Sequence, residues 1–465
     1  MQEIPGEKCA VFGIYDKGVD VSRTAFFGLF ALQHRGQESS GIAVSDGERI
    51  ASHKNIGLVT QVFTEGSIEA LSGHIAIGHN RYSTSKSSSL EYAQPFIADN
   101  RIALAHNGNL PSTTALKSFL KFKGIPTEAA SDSRLMVDAL GWHLKRGLGI
   151  EEAMRQCFPL FTGAFSIVAM TKDSLIAARD AYGIRPLVLG KLNGGYVVAS
   201  ETCALYPIGA TFIREVAPGE MLIVDEEGLR SVELAPPNQK LDIFEFIYFA
   251  RHDSELLGKS VYDVRKNFGK HLARECKLEA DVVVPVPETS IPMAVGFAQE
   301  SGIPYEMGLT KNRYIQRTFI EPDQRLREQG VKMKLTPLPH VLSGKRVVVI
   351  DDSIVRGTTS RQVVQLLFEA GAKEVHFLVS SPPIRFPDFY GIDISKQDEL
   401  LAFNRSVEEM RAYLGATSLY FLSIPGMIEA TGIPGEQFNT SCFTGTYPID
   451  LKERSREFVS LTHAA

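Results

Sequence analysis

RVVVIDDSIVRGTTS, residues Arg346–Ser360, is the stretch from which the fold can be read. Val347, Val348, Val349 and Ile350 form an unbroken apolar run, which predicts a strand buried on both faces. The run ends in paired acids, Asp351 and Asp352. A short loop with Arg356, Gly357, Thr358 and Thr359 follows, and it opens a helix expected over Ser360–Ala370. Amides at a helix start, with small hydroxyl residues beside them, form a cradle for phosphate. Gly357 lets the backbone approach an anion, and the two threonines add donors. The carboxylates stand too close to that cradle to bind phosphate themselves, and they suit ribose hydroxyls or Mg2+. The order GxxxxGK[ST] is absent and no GxGxxG follows the strand. A strand–turn–helix with a merely polar turn is the plain alternative.

The pattern repeats outward from this run. VVVPVPETSIPMA (Val282–Ala294) reads as a strand over Asp281–Val286, a loop with Pro287, Glu288, Thr289 and Ser290, and a helix over Ile291–Gln299. Glu374–Ser380 reads as a third strand. Continuous Val/Ile runs joined by helices indicate a parallel sheet. Between the two loops lies GLTKNRYIQRTFIEPDQRLREQGVKMKL, with Lys311, Arg313, Arg317, Arg325, Arg327, Lys332 and Lys334. Such a segment is either a solvated face or a lid over a polyanion.

The Asp-Asp run resembles the phosphoribosylpyrophosphate (PRPP) motif of the type I phosphoribosyltransferases, and the PETS loop is similar to their pyrophosphate loop. The resemblance implies an α/β domain with a mainly parallel sheet. It places PRPP on Asp351, Asp352, Ser353, Arg356, Gly357, Thr358 and Thr359, and pyrophosphate on Glu288, Thr289 and Ser290. Thr289, Asp351 and Asp352 would hold Mg2+, and Lys311, Arg313 and Tyr314 would belong to the lid. Cations there would stabilise the departing pyrophosphate, and a closed lid would keep water from the anomeric carbon.

The first half has a different texture. Strands are expected at Ala10–Tyr15, Gly41–Ser45, Ile75–His79, Ile102–His106, Ala164–Met170, Ser174–Arg179 and Tyr196–Ser200. Helices are expected at Ser22–Leu32, Ser133–Leu144 and Ile150–Cys157, from apolar spacing near 3.6. Asp132 followed by Ser133 marks a helix start. Many strands with helices outside them suggest a layered α+β domain. The texture changes near Leu234–Asp242, LAPPNQKLD, a Pro-bearing polar boundary.

Four patterns occur in order in this half: KCAVFGI with QHRGQESSG, GHNRYST, HNGN and SDS. In this order they resemble the class II glutamine amidotransferases, which are N-terminal nucleophile hydrolases with an αββα sandwich. The resemblance makes Cys9 the nucleophile and its α-amino group the base. An α-amino group has a pKa of about 8, so it can take the thiol proton and later give it to departing ammonia. The group must be free, so residues 1–8 are implied to be a propeptide. Arg81 would fork the glutamine α-carboxylate, with a structural ion pair as the alternative. Asn107 and Gly108 would form an oxyanion hole, and Asn-Gly also favours a type I′ hairpin turn. Asp132 would bind the substrate ammonium, or cap a helix. Arg35 and Gly36 would shape the pocket.

Composition narrows the setting. The 465 residues carry a net charge of -5 and a 44% hydrophobic fraction, enough for sizeable cores. Neither nucleic acid nor an anionic membrane is expected as a partner. No apolar run of about 18 residues appears, and the N-terminus lacks a secretory pattern. Cys9, Cys157, Cys203, Cys276 and Cys442 are far apart and odd in number, which suits a reducing cytoplasm. Cys157, Cys203 and Cys276 read as small buried hydrophobes.

Together the halves resemble the amidophosphoribosyltransferase family. The resemblance divides the chain into residues 9–235, a glutamine amidotransferase domain, and 236–465, a phosphoribosyltransferase domain with a C-terminal extension. It implies glutamine hydrolysis at Cys9 and internal passage of ammonia to PRPP, giving 5-phosphoribosylamine, glutamate and pyrophosphate. This is the first step of de novo purine synthesis. Mg2+, inhibition by purine nucleotides and a homotetramer are implied with it. A PRPP-sensing regulator or a degenerate paralogue would keep the fold without the chemistry. Many relatives carry a [4Fe–4S] cluster on four cysteines, and the matching positions here are Asp242, Asp388, Asn439 and Cys442. One thiolate cannot replace four, so no cluster is expected, and Cys442 is expected to pack as a small hydrophobe.

Overall fold

AVFGIY, the strand Ala10–Tyr15, is buried at every position because both of its faces are covered. Val11 and Tyr15 enter a core between two sheets, while Ala10, Phe12 and Ile14 enter a core under helices. This period-2 alternation sets the plan of the first half, seen in a computed structural model that describes residues 9–82, 89–312, 335–392, 394 and 396–457. One sheet has seven antiparallel strands, in the order Thr211–Glu215, Val188–Leu192, Gly195–Ala199, Ala10–Tyr15, Ile75–Arg81, Ser39–Ser45 and Ile50–Ile56. The other has six, in the order Gly228–Glu233, Glu220–Asp225, Leu175–Arg179, Thr162–Met170, Ile102–Ser112 and Phe96–Ala98. Helix Val21–Ala31 covers the first sheet, and Asp132–Lys145 with Ile150–Cys157 covers the second. The result is an αββα sandwich.

The expected strands all form, and Ile102–His106 continues to Ser112. That extension corrects the hairpin reading of Asn107-Gly108, because both residues lie within the strand, opposite Ser166 and Phe165. The helix at 132 is capped by Ser131, whose hydroxyl accepts from the Arg134 amide, so Asp132 is its first residue rather than its cap. The strands that periodicity did not show are edge strands or their neighbours. Ile50–Ile56 and Gly228–Glu233 are largely uncovered and carry polar residues in place of an apolar face.

The second half centres on four parallel strands in the order Val282–Pro285, Arg346–Asp351, Glu374–Val379 and Ser418–Phe421. Helix Thr358–Glu369 begins two residues earlier than expected, directly after Gly357 at φ 80°. Thr358 and Thr359 are therefore helical and do not belong to the loop. Among the described residues no helix is long and apolar enough to cross a membrane.

Candidate active sites

Cys9 immediately precedes strand Ala10–Tyr15, which pairs with Ile75–Arg81 in a register joining Ala10 to Asn80. One further step of that register sets Cys9 opposite Arg81. The Cys9 carbonyl accepts from Arg35 Nε at 3.2 Å. Arg35 is 1% exposed and is held between Glu201 (2.5 Å) and Glu245 (2.8 and 2.9 Å). Removing one member of such a buried set costs roughly 3–5 kcal/mol, because the remaining charges are left uncompensated. Burial opposes the charged form of Glu201, but His34 and Arg35 outweigh it and hold the carboxyl well below its usual range. Gly36 lets this loop lie on the Arg81 strand, since a Cβ there would stand 2.6 Å from the Asn80 carbonyl carbon.

Arg81 faces Glu38 at 3.7 Å and lies over the Tyr92 ring. Its Nη1 is buried without a hydrogen-bond partner among the described residues. Asn107 Nδ2 is likewise buried and unpartnered. Gly108 has φ 140°, and a Cβ there would overlap the Ala164 carbonyl oxygen, so only glycine fits. Asp132 accepts from the amides of Ser133 (2.7 Å) and Leu110 (3.2 Å), and its Oδ2 lies 3.8 Å from His106 Nδ1. His79 Nε2 lies 3.1 Å from the His106 carbonyl oxygen, joining the two sheets beneath these residues. Burial pushes the His79 imidazole down to about 3, so it stays neutral and donates. An unpartnered amide, a glycine in the left-handed region and an incompletely paired guanidinium suit a substrate with a carboxylate and an amide carbonyl.

The second site lies at the C-terminal ends of the parallel strands. Val286 N–H donates to Ile350 O at 2.8 Å, which puts the 286–290 loop beside the Asp351 loop. Asp351 and Asp352 are each 9% exposed. The Asp352 amide donates to Asp351 Oδ1, and the Ser353 hydroxyl donates to Asp352 Oδ1. Gly357 caps the helix without a side-chain hydrogen bond, and a Cβ there would stand 2.6 Å from Leu401 Cδ2. Arg356 is turned to Glu399, at 2.7 Å. On the neighbouring loop Glu288 is exposed, Thr289 half-buried, and Ser290 buried with its hydroxyl unpartnered among the described residues. Two carboxylates and a hydroxyl are hard oxygen donors at the end of one sheet, a set that fits Mg2+ shared with a polyphosphate. Lys311 ends the strand Leu309–Lys311, which pairs with Leu335–Pro337. Arg313, Tyr314 and the rest of the expected lid to 334 lie outside the described residues, as do residues 1–8.

Sequence reasoning missed the joint between the sites. The π-helical turn Glu245–Phe249 supplies Glu245 to Arg35, and the Arg251 amide and Ser254 hydroxyl donate to Glu201. His252 lies 3.3 Å from the Glu288 carbonyl, and Arg265 donates to His252 at 2.9 Å. Tyr248 lies within electrostatic reach of Asp352 and Asp351. One segment thus touches both sites. A local signal was present in FEFIYFAR, where Glu245 and Arg251 interrupt an apolar run. Ser380 and Ser381 were also missed. Both hydroxyls are buried and unpartnered among the described residues, and Ser380 N–H donates to Asp351 O.

The positions that match cluster cysteines do converge. Leu241–Asp242 pairs with Phe438–Asn439, and Cys442 Sγ lies 3.9 Å from Asp388 Oδ2. Arg185 stands 3.6 Å from Asp242. Burial, with Asp388 and Asp242 adding to it, pushes the Cys442 thiol up, so it stays protonated. A thiol, two carboxyls and an amide beside a guanidinium do not fit an iron–sulfur cluster. Cys442 lies in an apolar cluster, as expected, but it also faces a carboxyl. Cys157, Cys203 and Cys276 are buried, and burial raises all three thiols.

Residues 79–207 match a glutamine amidotransferase domain model, and 255–381 match a phosphoribosyl transferase domain model. The chain is 48% identical over 457 residues to the amidophosphoribosyltransferase of Synechococcus elongatus, covering 97% of this chain and 93% of that one. It is 46% identical over 465 residues to that of Bacillus subtilis, covering 97% and 96%. The solved structure of the B. subtilis glutamine PRPP amidotransferase, complexed with ADP and GMP, superposes with a TM-score of 0.89 at 46% identity, over 96% of this chain and 98% of that one. With both half-sites present and similarity running through nearly the whole length, the chain belongs to the amidophosphoribosyltransferase family.

Proposed function

We propose that Cys9, freed by removal of residues 1–8, attacks the side-chain amide of glutamine with its own α-amino group as base. Arg35 holds the Cys9 carbonyl and so fixes the residue that carries both groups. Arg81 grips the substrate α-carboxylate, and Asp132 takes its ammonium. Asn107 Nδ2 and the Gly108 N–H receive the charge that develops on the amide oxygen. The α-ammonium then protonates departing ammonia, and water releases glutamate from the acyl-enzyme.

Ammonia passes inside the protein to the second site, because ammonium formed in water is no nucleophile. There it displaces pyrophosphate from PRPP. Asp351 and Asp352 hold the ribose diol and, with Thr289, the Mg2+ that offsets charge on the leaving group. Ser353, Arg356, Gly357, Thr358 and Thr359 hold the 5-phosphate at the helix start. Glu288, Thr289 and Ser290 line the pyrophosphate, and Lys311, with Arg313 and Tyr314, closes over it. We place the domain division at 235/236, the protein in the cytoplasm as a homotetramer, and purine nucleotides among its inhibitors.

The observation that supports this reading is the segment from Glu245 to Ser254: Glu245 pairs with Arg35, Ser254 donates to Glu201, and His252 between them lies beside the Glu288 carbonyl. The test is Cys9→Ala. It should abolish phosphoribosylamine synthesis from glutamine and leave synthesis from added ammonia at high pH. Loss of both activities on a folded protein would refute the division of labour.

A further inference from the structure

The strand that carries Asn107 and Gly108 is not supported by its own domain alone. Its ladder with Thr162–Met170 shifts register between Asn109 and Ser112, just after the proposed oxyanion pair. At that break Asn109 turns to the other half of the molecule. Its Nδ2 donates to the backbone carbonyl of Phe389 at 2.8 Å. Two residues on, Gly391 packs beside Gly108: a Cβ built on it would stand 3.1 Å from Arg185 Nη2 and, in ordinary contact, 3.4 Å from both the Cα and the carbonyl carbon of Gly108. Gly391 has φ 115°, so any other residue would also have to move the backbone.

Residues 388–392 are held on both sides. Asp388 Oδ1 accepts from the amides of Tyr390 and Ile392, each at 2.8 Å. Arg185, from the first half, donates Nε and Nη2 to the Tyr390 carbonyl, each at 3.2 Å. The same guanidinium faces Glu245 at 3.3 Å. Tyr390 is fully buried, and its hydroxyl donates to Ile449 O. The turn is therefore a rigid surface set against Gly108.

An oxyanion hole stabilises charge only if its donors are aimed before the charge appears. Gly108, at φ 140°, lies one residue before the end of its regular pairing, which stops at Asn109 opposite Ala164. We propose that residues 389–391 of the second half form the outer wall of the glutaminase oxyanion hole, and that Asn109 is the positioning residue that holds Gly108 against this wall. The proposal rests on the reading of Asn107 and Gly108 given above. It means that the glutaminase site of this protein is complete only when the phosphoribosyltransferase half is docked.

The test uses the full-length protein with Asn109→Ala, Asn109→Asp and Gly391→Ala. Asn109 is half-buried, so its variants should fold. Asn109→Asp keeps the shape and loses the donor. The kcat for glutamine hydrolysis should fall at least roughly tenfold in each, with the KM for glutamine nearly unchanged, because the hole acts on the transition state. An aldehyde analogue of glutamine, whose adduct with Cys9 places an oxyanion in the hole, should bind more weakly by a similar factor. Product glutamate should bind as before. Synthesis from ammonia should stay near the unmodified level. Wild-type kcat in the Asn109 variants, a change in KM alone, or a parallel loss of ammonia-dependent synthesis would overturn the proposal. Asn107→Ala separates the two layers. If it too hydrolyses glutamine normally, the oxyanion assignment itself fails. If it is impaired while Asn109→Ala is not, only the wall is wrong.

Discussion

Cys9, Arg81, Asn107 and Asp132 reach the proposed glutaminase site from four separate elements of an antiparallel sandwich, whereas residues 351–359 reach the proposed PRPP site as one run at the end of a parallel strand. The first arrangement needs the two sheets locked together, here by His79 and the His106 carbonyl, and needs a turn from the other half at its edge. The second needs one strand, one left-handed glycine and one helix start, with a neighbouring loop beside it. Charge is also handled differently. The proposed glutaminase site sits on buried ion pairs in which Arg35 lies between Glu201 and Glu245. The proposed PRPP site has two nearly buried carboxylates at the end of a strand, hard oxygen donors that suit a cation. A site assembled from distant strands is therefore sensitive to packing far away, and a contiguous loop is sensitive mainly to its own side chains.

The sharpest way to break this comparison is at the contiguous loop. Asp351→Asn together with Asp352→Asn should lower synthesis from both glutamine and ammonia by about a thousandfold or more, if each carboxylate is worth as much as one strong electrostatic contact. Glutamine hydrolysis without PRPP should survive, because no packing is disturbed. Pyrophosphate release measures the first and glutamate release the second. Near-normal synthesis would mean that the loop does not hold PRPP.

Arg81→Lys probes the other site with a smaller expected effect. A point charge cannot reproduce a two-pronged hydrogen bond to a carboxylate. The KM for glutamine should rise by roughly ten- to a hundredfold, the worth of a charged hydrogen bond, while the KM for PRPP stays unchanged. An unaltered glutamine KM would leave Arg81 as only an ion-pair partner of Glu38.

The sheet lock has a pH signature. The His79 imidazole is held neutral down to about 3 by burial, while in the unfolded chain it takes a proton near its ordinary 6.5. The unfolded state therefore binds more protons between these values. The contribution of His79 is fully present above about 6.5 and is lost as pH falls, by up to ~1.4 kcal/mol per pH unit. Burial lowers His106 in the same direction, although Asp132 partly opposes it. Denaturant melts from pH 7 to 5 should show the loss, and His79→Gln should flatten it. An equally steep loss in that variant would assign the acid sensitivity elsewhere.

The smallest expected effect is none at all. Protein purified without oxygen should be colourless, with no broad absorbance near ~400 nm, and iron chelators should change neither activity. Stoichiometric iron and sulfide would show that the buried Asp242, Asp388, Asn439 and Cys442 set had been misread.

The PRPP loop was legible because its chemistry is local. VVVI, DD, R, G and TT follow one another, and strand, turn and helix start can each be read from a few neighbouring residues. The error there was two residues, since Gly357 rather than Thr359 ends the loop. The glutaminase residues were legible as short patterns, but their setting was not. HNGN suggested a hairpin because Asn-Gly favours one, and long-range pairing with Thr162–Met170 overrode that preference.

The sequence by itself determined which groups are available: one thiol near the start, paired acids before a glycine and two threonines, and a single cysteine where a cluster would need four. It also determined the period-2 and continuous apolar patterns that choose a sandwich for one half and a parallel sheet for the other. Tertiary structure alone decided that Arg35 joins the Cys9 carbonyl to Glu245 across 210 residues of chain, and that Asn109 meets Phe389 across 280. The reason is physical. Hydrophobic periodicity is a property of neighbours along the chain. A buried charge or an unpaired amide finds its partner only after the sheets have packed, and nothing in its local sequence specifies which partner that is.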